Sequence, residues 1–110
     1  MKLQELIEKL DLTVLTKLEE RNVEGAFITD MLSDLMASAK AGNIWLTVQT
    51  HKNIISAANL LDISAILISS GKTVPQETID LANRFHVIIL SSTRSTFELA
   101  GKLIEVGLKP

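Results

Sequence analysis

A chain of 110 residues has room for one domain around one core and little for a separate catalytic or regulatory unit. Hydrophobic residues make up 46% of it, too many for a disordered chain, and 11 Lys and Arg against 13 Asp and Glu leave no basic excess to draw in nucleic acid or an anionic membrane. Cysteine is absent, which excludes disulfides, thiolate metal sites and a cysteine nucleophile; with no membrane-length apolar run and an amphipathic rather than signal-like opening, the expected setting is the cytoplasm.

Leu3, Leu6, Ile7 and Leu10 share one helical face, so residues 2–10 open the chain as an amphipathic helix. The alternation in 11–16 predicts a short strand, a charged turn follows over 17–22, and 23–29 reads as a strand kinked at Gly25. Thr29 or Asp30 can cap the next helix, whose inward face is Leu32, Leu35, Met36 and Ala39, with Gly42 as its stop. Residues 44–48 are strand. Asn53 can cap a helix burying Ile54, Ala57, Ala58 and Leu61, and the all-apolar 65–68 is a strand covered on both faces.

Thr73-Val-Pro-Gln76 has the spacing of a capping box and predicts a helix using Ile79, Ala82 and Phe85. Residues 87–90 form another two-sided strand. Ser95-Thr-Phe-Glu98 is a second capping box, opening a last helix with Leu99, Leu103 and Val106 inward and Gly107 beyond its end. Trp45 in the strand 44–48 is expected to face a helix layer. The alternation of strand and helix predicts the α/β class, a three-layer α/β/α sandwich with a mostly parallel sheet of about five strands, as a single domain over 1–110.

In such sheets ligands gather beyond the carboxyl ends of the strands, where helix N-termini offer free N–H groups. That edge carries Thr29, Asp30, Gln49, Thr50, His51, Ser69, Ser70, Ser92 and Arg94, together with Lys72. Ser, Thr and Asp are also the preferred caps, so capping accounts for part of this enrichment. The cationic or potentially cationic His51, Lys72 and Arg94 exceed it and point to an anion. His86 precedes a strand at the far edge and is read as structural. Asp30 and Asp34, one turn apart, are read as complements to a helix dipole rather than a Mg²⁺ pair. Ser69-Ser-Gly-Lys72 lacks the full phosphate-loop pattern, and no nucleophile, base and orienter assemble, so neither catalysis nor a cofactor is expected.

Gly25-Ala-Phe-Ile-Thr-Asp-Met-Leu-Ser-Asp-Leu-Met36, Asn43-Ile-Trp-Leu-Thr-Val-Gln-Thr-His51 with Asn53-Ile54, and Ser95-Thr-Phe-Glu-Leu-Ala-Gly101 together resemble the DRTGG domain family. At the name-giving stretch this chain has Glu20-Arg21 and then Glu24-Gly25-Ala26. The resemblance implies an α/β fold similar to the N-terminal domain of the kinase of the histidine-containing phosphocarrier protein, without its catalytic part. It also implies a regulatory, dimer-forming role, since family members stand beside CBS modules in regulated pyrophosphatases. The expectation is a non-catalytic homodimeric module sensing a small anionic metabolite or adenine nucleotide at the strand-end edge. The alternative is a protein interaction or assembly domain, with a regulatory protein partner and no small-molecule ligand.

Overall fold

The computed structural model describes residues 1–110. Five helices and five strands alternate: α1 (Leu3–Leu10), β1 (Thr13–Val14), β2 (Ala26–Ile28), α2 (Leu32–Ser38), β3 (Ile44–Thr47), α3 (Asn53–Leu60), β4 (Ala65–Ile68), α4 (Gln76–Arg84), β5 (Ile89–Ser91) and α5 (Thr96–Glu105). The strands make one sheet in the order β1-β5-β4-β3-β2, with β2 to β5 parallel and β1 antiparallel on β5. The expected three-layer sandwich is what forms.

Strand alternation builds the two cores. Ile44 and Leu46 of β3, Ala65 and Leu67 of β4, and Leu90 of β5 point to one face, where they pack with α1 and α5 through Leu3, Leu6, Leu99 and Leu103. Trp45, Ile66, Ile68 and Ile89 point to the other face, against α2, α3 and α4 through Leu35, Ile54, Ala58 and Ala82. Both faces of β3 and β4 are therefore buried, which is why their sequences are nearly unbroken apolar runs. Trp45 faces the helix layer as expected and is 0% exposed.

Several local expectations are corrected. The run 23–29 pairs as strand over Ala26–Ile28 alone, because Val23 and Glu24 spend their N–H groups on Met1 O and Gly42 O rather than on a neighbouring strand. The strand expected over 11–16 is Thr13–Val14, and that expected over 87–90 is Ile89–Ser91. Thr73 caps nothing: Pro75 is extended at ψ 145 and is itself the N-cap, with α4 starting at Gln76. Asn53 is the first helical residue of α3 rather than its cap.

Phe85 is half-exposed because it is the C-cap of α4, past the last helical residue Arg84 and beyond the buried stripe of Thr78 and Ala82. Thr78 can be buried because its hydroxyl donates to Thr50 O at 2.9 Å. Met36 is likewise exposed, α2 being too short to carry a full inward face. The Ser95 box forms on one side: Ser95 Oγ accepts from Glu98 N at 3.2 Å, while the Glu98 carboxylate turns to Arg94 Nε at 3.1 Å instead of back to the cap.

Candidate functional site

The carboxyl ends of β2, β3, β4 and β5 lie side by side, so the loops carrying all nine candidate residues form one row along a single edge. In an open α/β sheet a crevice appears where consecutive helices leave to opposite faces. Here that place is between β4 and β5: α4 packs with the Trp45 core and α5 with the Leu3 core. The two loops at this boundary are tied to each other. Ser70 N donates to Arg94 O at 2.7 Å and Gly71 N to Ser92 O at 3.0 Å, and the Ser69 and Thr96 hydroxyls are 2.6 Å apart. Ser70 and Gly71 take successive left-handed conformations, φ 62 and 64, which turns these amides toward β5 rather than outward.

Most of the remaining polar groups are held in the same local way. Thr29 Oγ1 accepts from Met31 N at 3.1 Å. Asp30 Oδ1 accepts from Thr47 Oγ1 at 2.8 Å and Val48 N at 3.0 Å, bracing the β2 loop against the end of β3. Ser92 Oγ accepts from Arg94 N at 3.1 Å. His51 Nδ1 accepts from Asn53 N at 3.2 Å, so it covers the first amide of α3, whose N-cap position is Lys52; its outer ring nitrogen makes no hydrogen bond within the chain. Arg94 donates to Leu10 O at 2.7 Å, where it closes the C-terminal end of α1. Left with no hydrogen bond inside the chain are the exposed side chains of Gln49, Ser70 and Lys72, the half-buried Thr50 hydroxyl and one oxygen of Asp30.

The opposite edge holds a feature whose arginine the sequence reading named only within the family's name-giving stretch, without a role for it. Arg21 Nη1 donates to Ser64 O at 3.2 Å, just before β4, and Nη2 donates to His86 O and, at 2.7 Å, to Glu19 Oε2. Ser64 Oγ returns a bond to Asn22 O. With Leu3 N on Arg21 O at 2.8 Å and Ala26 N on Lys109 O at 3.3 Å, residues 20–26 act as a belt. It joins the N-terminus, the entries to β4 and β5, and the C-terminal tail. Clefts of about 300 and 360 Å³ flank this belt, and Arg21 and Asn22 line both. No local pattern marks Arg21 because its partners are 43 and 65 residues away. Arg21→Ala should lower stability by about 1 to 3 kcal/mol by leaving two strand-entry carbonyls without their donor, measured by urea unfolding.

Comparison with solved structures finds a likeness to the CBS and DRTGG domains of the regulatory region of Clostridium perfringens pyrophosphatase, crystallised in complex with its activator, diadenosine tetraphosphate. The TM-score is 0.69 at 18% identity, covering 97% of this chain and 47% of that one. The chain thus spans about half the length of that structure, and the likeness is one of fold. No curated protein matches the sequence significantly. The family model for the DRTGG domain matches residues 5–106. Running from α1 to the last turn of α5 and including both the Arg21 belt and the strand-end edge, that match identifies the chain as a member of the DRTGG domain family.

Proposed function

We propose that this domain is a non-catalytic regulatory module that works as a homodimer and senses a small anionic metabolite, foremost an adenine nucleotide, at the edge formed by the carboxyl ends of β2 to β5. The observation that carries the reading is the likeness over 97% of the chain to a regulatory region crystallised with a dinucleotide activator. The chemistry of the edge supports it. Gln49, Thr50, the outer nitrogen of His51, Ser70 and Lys72 offer donors to a phosphate or a base. Thr29, Asp30, Ser69, Ser92 and Arg94 hold the loops that carry them. A site built this way needs no loop to fold on binding, which lowers the entropic cost of taking up a ligand.

Trp45 is a built-in reporter, since its indole N–H donates to Thr29 O at 2.9 Å at that edge and it is the one tryptophan of the chain. Thermal unfolding followed by its emission, with diadenosine tetraphosphate, AMP, ADP and ATP in turn, tests the reading. A ligand present at about 100 times its dissociation constant adds about 2.7 kcal/mol, a rise of several degrees in Tm. The rise should disappear in Gln49→Ala and His51→Gln. A flat response to all four compounds would favour the second reading, an assembly domain whose edge hydroxyls serve as caps. That reading has its own support in the exposed Phe97 and Ile104 of α5.

A further inference from the structure

β2 is an edge strand, paired with β3 on one side and with no strand on the other. Strand alternation sorts its backbone groups between those two sides. Gly25 O accepts from Ile44 N, toward β3, and Ala26 N donates the opposite way, to Lys109 O at 3.3 Å. By the same alternation Phe27, in register with Trp45, turns its amide and carbonyl to β3, while the carbonyl of Ala26 and both backbone groups of Ile28 face outward. The Ile28 side chain is 45% exposed. One other segment of the chain reaches this edge. Gly107, at φ 99, follows α5 and turns the chain toward it; Leu108 packs into the α1 and α5 core, and Lys109 and Pro110 pass Gly25, whose missing Cβ leaves room for them. Lysine and proline are residues that exposed sheet edges use against further pairing.

We infer that two copies of the chain meet at the outer edge of β2, strand against strand, antiparallel about a two-fold axis through Phe27, and that Lys109 and Pro110 form a strap competing for that edge. The inference rests on the homodimer part of the function proposed above and names its surface and its latch. The strand is self-complementary in this register. Ala26 of each copy lies opposite Ile28 of the other, so the two residues exchange both of their hydrogen bonds, twice by symmetry, and no outward amide or carbonyl of the strand is left over. The side chains agree. Ala26 and Ile28 share the face of the α1 and α5 core, where the small residue of one copy meets the exposed large one of the other. Phe27, only partly buried against the opposite core, meets its own copy directly across, an aromatic cross-strand pair of the kind that stabilises sheets. Strap and second copy exclude each other, because both need Ala26 N. The bond to Ala26 N is also the one hydrogen bond that Lys109 and Pro110 make, so the strap is lightly held. A three-residue strand covers less than the about 800 Å² per partner of a standard interface, so the dimer is weak and its population depends on the strap and on protein concentration.

Sedimentation equilibrium over the micromolar to millimolar range, on the full chain and on the chain without residues 109–110, tests this. The expected result is a monomer–dimer equilibrium whose dissociation constant falls about 10-fold when the strap is removed, the worth of one released hydrogen bond. Leu108→Ala, which loosens the strap in the full-length chain, should shift it the same way. Ile28→Pro removes an outward N–H that the fold itself does not use, at an edge position where proline is tolerated. It should abolish the dimer in both backgrounds, while the Trp45 unfolding profile of dilute monomer is retained. A dimer that responds neither to loss of the strap nor to Ile28→Pro would overturn the β2 surface alone and leave the homodimer reading standing. A chain that stays monomeric with and without the strap would overturn this inference together with that reading.

Discussion

Trp45→Ala is expected to cost about 3 to 5 kcal/mol, the range for removing a fully buried aromatic. For a domain whose whole stability is of order 5 to 15 kcal/mol, it is among the most damaging single substitutions the fold can receive. The indole sits at the centre of the core formed with α2 and α3, among Leu35, Ile54, Ile55 and Ala58, and in register between Phe27 of β2 and Ile66 of β4. Its second contribution is polar. The bond from Nε1 to Thr29 O fixes the loop leaving β2, and the same loop is braced by Asp30 on Val48 N.

Trp45→Phe separates the two effects, keeping most of the ring volume while leaving Thr29 O without its donor, at an expected cost of about 1 to 2 kcal/mol. Because both variants remove the fluorophore, urea unfolding followed by far-UV circular dichroism is the measurement. Equal stability of Trp45→Phe and the parent would show that the indole bond adds nothing to the hold on the β2 loop. A ligand response weakened in Trp45→Phe would connect that hold to the proposed site.

The sequence shows the layered fold clearly and the site much less so, for one physical reason. Two-sided burial writes itself into consecutive residues: Ala65-Ile-Leu-Ile68 and Ile44-Trp-Leu cannot be read as half-exposed strands, and the alternation of their neighbours assigns both helix layers. Polar function is not written in that way. Ser69, Ser92 and Thr29 are legible as edge residues, but whether a hydroxyl faces a ligand or a local amide depends on a loop conformation. Here the left-handed Ser70 and Gly71 turn the β4 loop onto β5.

Long-range partners are still less legible. Arg94 stands out as a cation at the ligand edge, yet its guanidinium reaches Leu10 O, 84 residues away in sequence. Arg21 belongs to the family's name-giving stretch, but no periodicity or capping pattern gives it a role, and it binds the opposite edge. The threonine of α4 makes the same point inside a helix, because Thr78 reads as polar and is buried on the strength of Thr50 O. Phe85, which the apolar spacing brings inward, lies past the last turn of α4 and stays half-exposed.

The name-giving stretch of the family gains a structural meaning through Gly25, and Gly25→Ala is expected to cost about 2 to 4 kcal/mol from backbone strain and overpacking together. Gly25 has φ 147, a conformation that L side chains rarely adopt. An added Cβ would come to 2.8 Å from Lys109 O and 2.9 Å from Asn43 Nδ2. Neither neighbour yields easily: Lys109 O accepts from Ala26 N, and the buried Asn43 is held by Lys40 N on its Oδ1 at 2.8 Å. The methyl group would therefore push the C-terminal tail off the edge of β2, taking with it the packing of Leu108 against the α1 and α5 core. A double-mutant cycle with removal of residues 109–110 isolates this effect. If the tail contact is the cause, Gly25→Ala costs less in the shortened chain by about 1 to 3 kcal/mol, the tail's share of the overpacking, and what remains measures the backbone strain together with the Asn43 contact. An equal cost in both backgrounds would place the whole effect in the φ of Gly25 and its contact with Asn43, and leave the tail without a part in it.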